Sequence, residues 1–201
     1  MRGLYAITNE NIVSSENFIQ YSEQAIIGGA KVIQYRNKHS NKNITQIIAL
    51  KKLCLQYQVP LIINDDIQLA KQIGADGVHL GKEDSQLSTA RSILGNKAII
   101  GISCYNKIYL AKQAVADGAN YVAFGSFFSS PTKPQATQCD INTLKQARKV
   151  LNCPIVAIGG ITPDNGGDLI MAGADCLAVI SGIFDQTNIT VAAQKYTELF
   201  Q

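Results

Sequence analysis

The chain has 201 residues, of which 46% are hydrophobic and only 16% charged. That charged share lies well below the ~25% usual for soluble domains. It excludes a disordered chain or a coiled coil, both of which need many more charges. The formal net charge of +3 is too small for nucleic-acid binding, which calls for a clustered basic stripe. No apolar run approaches the ~20 residues of a membrane helix, and the apolar start at residues 3–7 is too short for a signal peptide. The cysteines, Cys54, Cys104, Cys139, Cys153 and Cys176, are odd in number and without C-x-x-C spacing. Neither a disulfide framework nor a structural zinc site is expected, and reduced thiols in a cytoplasmic protein are. At ~150 residues per domain, the length predicts one domain over residues 1–201.

Strand-like and helix-like runs alternate from end to end. Strands are predicted at 3–7, 32–36, 61–64, 77–80, 99–102, 121–124, 155–158 and 177–180. Helices are predicted at 16–28, 44–57, 67–73, 86–94, 107–117, 141–150, 163–171 and 189–200. Eight βα units at ~25 residues each predict an α/β protein, a single (β/α)8 TIM barrel. An open doubly wound sheet is the alternative, but no G-x-G-x-x-G follows the first strand. Gly74-Ala75-Asp76, Gly118-Ala119-Asn120 and Gly173-Ala174-Asp175 recur between helix and strand, where glycine can take the left-handed conformation that ends a helix. Thr162-Pro163 reads as a helix start. The longest irregular stretch is 126–140, a length usually kept for function.

In a barrel the chemistry sits at the C-terminal ends of the strands. Alternation along the second strand turns Ile33 and Tyr35 toward the helices, and Val32, Gln34, Arg36 and Lys38 toward the interior and its mouth. Arg36 and Lys38 suit phosphate oxygens. The third strand ends in Asn64-Asp65-Asp66, and the fourth leads into Asp84. These carboxylates can share a hard cation such as magnesium, or they can cap the helices that follow. His79 points inward on an apolar strand and reads as a hydrogen-bonded core residue more readily than as a base. Ser103 ends the fifth strand with no G-x-S-x-G around it. Ser130, Pro131, Thr132 and Lys133 form a hydroxyl-bearing loop suited to phosphate. Gly159-Gly160 and Ile180-Ser181 end the seventh and eighth strands, the usual phosphate position of such barrels. Two anion sites at one mouth suggest group transfer between two phosphorylated substrates.

These motifs, in this order and over nearly the whole chain, resemble the thiamine phosphate synthase family. Gln34-Tyr35-Arg36-Asn37-Lys38 is similar to its Q-x-R-x-K. Asn64-Asp65 and the run from Gly74 to Asp84 resemble its N-D and G-A-D-G-V-H-L-G-x-x-D. Gly101-Ile102-Ser103 resembles G-x-S, and Ser130-Pro131-Thr132-Lys133 resembles T-x-T-K. Ala157-Ile158-Gly159-Gly160-Ile161 and Val179-Ile180-Ser181 resemble A-I-G-G-I and V-x-S. The sequence departs from the pattern at Tyr105, where His is frequent, at Asn37 for Glu, at Ser130 for Thr and at Ser126 for Pro.

The resemblance implies a magnesium-dependent transferase with one Mg2+ per subunit. It would join 4-amino-2-methyl-5-(diphosphooxymethyl)pyrimidine to a thiazole ethyl phosphate, releasing diphosphate through a dissociative step. Gln34, Tyr35, Arg36, Asn37, Lys38, Asn64, Ser103 and Lys133 would hold the pyrimidine diphosphate, with Arg36, Lys38, Lys133 and Ser103 carrying the catalysis. Ser130, Pro131, Thr132, Gly160, Ile180 and Ser181 would hold the thiazole phosphate, and Asp65 and Asp84 the metal. The implied partners are small molecules, without nucleic acid or membrane, and a homodimer is compatible with the pattern. A thiazole tautomerase of the same fold, or a non-catalytic barrel binding thiazole phosphate or thiamine phosphate, are the competing readings.

Overall fold

The computed structural model describes residues 1–14, 16–38, 42–81, 85–129 and 138–201. Eight strands are present: β1 (Gly3–Ile7), β2 (Val32–Tyr35), β3 (Leu61–Asn64), β4 (Gly77–Leu80), β5 (Ile99–Tyr105), β6 (Tyr121–Gly125), β7 (Ile155–Ile158) and β8 (Cys176–Val179). All neighbours pair in parallel, and β8 pairs with β1 to close the barrel. The open-sheet alternative is therefore set aside. The principal helices are α2 (Phe18–Ile27), α3 (Ile44–Gln56), α4 (Ile67–Ile73), α5 (Ser85–Leu94), α6 (Ile108–Ala116), α7 (Ile141–Val150), α8 (Pro163–Met171) and α10 (Ile189–Thr197). Two four-residue helices, α1 (Glu10–Val13) and α9 (Ser181–Phe184), fall where the sequence predicts loops. Each is about one turn long, too short for a 3.6-residue hydrophobic repeat to show. No helix among the described residues is long and apolar enough to cross a membrane.

Two apolar layers follow from the two-residue strand period. Leu4, Ala6, Ile33, Tyr35, Val122, Phe124, Ile155 and Ala157 pack outward against the helices. Tyr5, Ile7, Val32, Tyr121, Ala123 and Val156 fill the lumen. The lumen contains two tyrosines, whose rings meet edge to face at 5.9 Å. Room for them comes from Gly101, which pairs with Tyr121 across β5 and β6. A Cβ at Gly101 would stand 1.9 Å from the Tyr121 ring.

The recurring Gly-Ala-Asp/Asn turn has a second purpose at the bottom of the barrel. Asp76, Asn120 and Asp175 each donate a backbone N–H to the carbonyl of a residue near the start of the preceding strand, Leu61, Ile100 and Ile155. Each also accepts, through its side chain, the N–H of that same residue at 2.7–2.8 Å. A cation from the helix before that strand completes every clasp: Lys51 of α3, Arg91 of α5 and Arg148 of α7. Arg91 and Arg148 also donate to nearby backbone carbonyls. The clasp thus repeats at β3–β4, β5–β6 and β7–β8. At β1–β2 the corresponding residue is Lys31, which keeps the backbone bond to Leu4 but has no acceptor side chain.

Replacing Asp175 with Ala leaves the Ile155 N–H and the Arg148 guanidinium without this acceptor. Such a loss costs about 2 kcal/mol. Urea unfolding should show this as a lower midpoint at unchanged slope, and a change under about 0.5 kcal/mol, the usual range for neutral surface substitutions, would contradict the structural role of the clasp.

Candidate active site

At the C-terminal mouth a cavity of about 330 Å³ opens into the lumen. Apolar walls come from Ile7, Ala123, Val156, Ile158, Ala178 and Ile180, and the polar groups include Gln34, Arg36, Asn64, His79, Ser103 and Ser126. Gln34, 3% exposed, donates from Nε2 to the Tyr5 hydroxyl at 2.8 Å. The Tyr5 and Tyr121 hydroxyls meet at 2.8 Å. Tyr121 reaches His79 Nδ1 at 2.9 Å, and His79 Nε2 reaches Ser103 Oγ at 2.8 Å. His79 is thus the hydrogen-bonded interior residue the sequence suggests. The Ser103–His79 contact has the spacing of a nucleophile pair, but behind the imidazole stands a phenol, where a triad has a carboxylate. Burial pushes the Tyr121 phenol well above its ordinary range, so it stays neutral and cannot stabilise an imidazolium as a carboxylate would. Burial also pushes the Cys176 thiol up to about 12, an inert state for a thiol.

The β2–β3 edge forms a polar flank. Arg36 lines the central cavity. Its backbone is pinned by Thr8, which is fully buried and whose Oγ1 accepts the Arg36 N–H at 2.9 Å. Lys38, Asn37, Asn64, Asp65 and Asp66 line a neighbouring cavity of about 590 Å³. Lys38 Nζ lies 2.6 Å from Asp65 Oδ2, and Asn64 Nδ2 donates to the same oxygen at 2.7 Å. Asp65 adopts φ +62°, a left-handed conformation that aspartate tolerates better than most side chains. Only one of these two carboxylates takes the capping role. Asp66 caps α4 by accepting the Leu69 N–H, while Asp65 makes no such bond. Lys42, absent from the sequence reading, pairs with Asp66 at 2.6 Å. Tyr35 is not brought to the mouth: its side chain is 2% exposed in the outer layer, edge-on to Phe18.

The opposite flank is a cavity of about 270 Å³ lined by Ser129, Gly160, Thr162, Ile180, Ser181 and neighbours. Gly160 takes φ +60°, and a Cβ there would stand 2.4 Å from the Ser129 carbonyl. The chain after β6 is laced to β7, with Phe127 N donating to Ile158 O and Phe128 N to Gly159 O. Tyr105 ends β5 after a register shift, at φ +56° and 42% exposed, and lines the central cavity. Asp84, Ser130, Pro131, Thr132 and Lys133 lie outside the described residues.

A family model described as thiamine monophosphate synthase matches residues 4–183. The chain belongs to the thiamine monophosphate synthase family. As a member it is an enzyme, a transferase. A thiamine-phosphate synthase of Nitrosococcus oceani is 49% identical over 202 residues, covering 100% of this chain and 93% of that one. One of Methylobacillus flagellatus is 48% identical, covering 100% and 96%. The solved thiamine phosphate pyrophosphorylase from Pyrococcus furiosus superposes with a TM-score of 0.85 at 30% identity, over 98% of this chain and 94% of that one. A 3-hexulose-6-phosphate synthase at 16% identity and TM-score 0.74 shares the fold alone.

The Lys42–Asp66 pair carries a pH signature. Partial burial pulls the Asp66 carboxyl upward, but the Lys42 ammonium and the Leu69 N–H outweigh it and hold the group below its ordinary value. A depressed carboxyl contributes stability above its unfolded value of about 4, lost as pH falls through the folded value. Asp66→Asn keeps a capping side chain and removes the charge. Its stability deficit against the parent should be present near neutral pH, small because the pair is partly exposed, and should close in acid. A deficit independent of pH would refute the pairing.

Proposed function

We propose that this mouth joins 4-amino-2-methyl-5-(diphosphooxymethyl)pyrimidine to a thiazole ethyl phosphate, forming thiamine phosphate and releasing diphosphate. One observation carries the reading: the three cavities adjoin and share wall residues. The central chamber shares Asn64 with the β2–β3 flank and Ile158, Gly159, Ala178 and Ile180 with the β7–β8 flank. A flank that sets Lys38 beside Asp65 and a glycine-rich flank, on either side of one central chamber, suit two phosphate esters whose ring systems meet between them.

In this reaction the thiazole nitrogen lone pair forms a bond to the methylene carbon. The carbon–oxygen bond to diphosphate breaks, and its electron pair leaves on the diphosphate oxygen. No general base is needed, because the nucleophilic nitrogen carries no proton. The difficulty is the charge that grows on the departing diphosphate, which Arg36, Lys38 and Lys133 neutralise. The apolar walls around Ile7, Val156 and Ile180 keep water from the electron-poor carbon while the thiazole is held beside it. Gln34, Asn64 and Ser103 orient the pyrimidine, with Asn37 beside them at the mouth. The hydroxyls of Ser130, Thr132 and Ser181 and the backbone about Pro131, Gly160 and Ile180 hold the thiazole phosphate.

Magnesium fits the residues present. Asp65 is a half-exposed carboxylate fixed by Asn64 and Lys38, and Asp84 is its partner by motif. Oxygen ligands of this kind, few in number, suit a hard cation that completes its shell with water and substrate phosphate. One Mg2+ per chain would supply charge neutralisation for the leaving diphosphate. Both substrates are small and water-soluble, in keeping with a cytoplasmic enzyme.

Turnover of purified variants tests the assignment. Asp65→Ala and Asp84→Ala should each lose about 100-fold or more in magnesium-dependent rate, the usual scale for removing an electrostatic element of this kind, with the urea midpoint little changed. Near-parental activity in both would contradict the metal assignment. Lys133→Ala should lose a similar factor in kcat while KM for thiazole phosphate moves less than about threefold. The reverse split would move Lys133 to the thiazole flank.

A further inference from the structure

The lumen holds one polar thread. It passes from Gln34 through Tyr5, Tyr121 and His79 to Ser103, crossing β2, β1, β6, β4 and β5, with every link at 2.8–2.9 Å. Gln34, Tyr5, His79 and Ser103 line the central cavity, whereas Tyr121 does not and is 1% exposed. We infer that Tyr5, Tyr121 and His79 are positioning residues, a proton-ordered chain that couples the hydrogen-bonding sense of Gln34 to that of Ser103 and so sets the donor–acceptor pattern presented to the substrate heterocycle.

The coupling follows from counting protons. A phenol has one proton to donate, and burial pushes both phenols well above their ordinary range, so neither ionises. If Gln34 donates to Tyr5, the Tyr5 proton goes to Tyr121 and the Tyr121 proton to His79 Nδ1. The neutral imidazole then carries its proton on Nε2 and donates to Ser103, whose own proton is left for the cavity. The amide oxygen of Gln34 is left for the cavity as well. The pocket thus shows an acceptor at one end and a donor at the other. If Gln34 turns its oxygen to Tyr5, every link reverses and both ends change sign together. Hydrogen bonds polarised in one sense along a chain reinforce one another.

This inference rests on the pyrimidine reading above for the identity of the ring. An exocyclic amine donates to the Gln34 oxygen while a ring nitrogen accepts from Ser103, the sense the Gln34 Nε2–Tyr5 bond sets. A ring with an oxo group in place of the amine needs the opposite sense, and a site built on buried hydrogen bonds rejects such an analogue strongly. The thread therefore selects amino- over oxo-pyrimidines through residues that touch no diphosphate atom.

Nitrogen NMR of the 201-residue chain without ligand reads the proton order directly. His39 and His79 are the only histidines, so a His39→Gln background leaves one imidazole. At about pH 8, above the ordinary imidazole range, the proton should reside on Nε2. In the same background Gln34→Glu places a carboxylate, which only accepts, against Tyr5. The chain should then reverse and move the proton to Nδ1, three hydrogen bonds away. An imidazole averaging between tautomers in the parent, or one unmoved by Gln34→Glu, overturns the inference. Where Gln34→Glu does not fold, Tyr121→Phe serves. It should raise KM for the pyrimidine diphosphate about tenfold with kcat within about threefold, the scale of one disordered hydrogen bond. A lowered melting temperature with KM unchanged would reduce Tyr121 to packing and overturn the inference. A parent protein that makes no thiamine phosphate refutes the functional reading instead, and the tautomer result still decides the chain.

Discussion

Closing eight parallel strands into one sheet dictates where everything else in this protein can go. Parallel pairing sends all strand ends of one kind to one mouth, and the two-residue period sends every second side chain into the lumen. A residue at a strand's C-terminal end on the inward phase therefore has no choice but to face the same chamber as its counterparts on the other strands. Gln34, His79 and Ser103 meet for that reason alone, although they come from three strands. The same geometry separates labour between the two ends. Asp76, Asn120 and Asp175 hold strand starts at the bottom, while Asp65 and Asp66 stand at the top. Part of the small charged complement goes to clasps and part to the mouth.

A lumen filled by side chains is usually apolar, and here it carries a hydrogen-bonded thread. Burying phenols, an amide and an imidazole is tolerable only when each finds a partner, and among the described residues no buried side-chain polar atom lacks one. The arrangement depends on glycine at 101, since any side chain there would displace Tyr121. Rigid rings stacked and crossed around Tyr121 then fix the floor of the cavity, so that the groups at its rim are held from below as well as from their own strands.

Much of this was legible in the residues. Alternation placed Val32 and Gln34 inward and Ile33 and Tyr35 outward, and the structure agrees. Strand limits moved by one residue, and by three at the end of β5, which runs on to Tyr105 through its register shift. Tyr5 and Tyr121 escaped notice because a tyrosine on a strand reads as packing. Their hydroxyls meet across 116 positions of sequence, and nothing local announces that. Thr8 escaped for the same reason, being a strand-end residue whose partner, Arg36, lies 28 positions away. Lys42 sits in what reads as a polar loop, and only the fold brings it to Asp66. That Asp66 rather than Asp65 caps α4 depends on the local backbone, with Asp65 at φ +62°, which composition and spacing do not encode.

The central claim is that two phosphorylated rings meet in one chamber and that carbon–oxygen cleavage there is tied to capture by the second ring. Product stoichiometry tests it most directly. With magnesium and both substrates present, the purified protein should release diphosphate and thiamine phosphate one for one, and either substrate withheld should stop both. Diphosphate released at a comparable rate without the thiazole phosphate, or no thiamine phosphate with both present, would contradict the account.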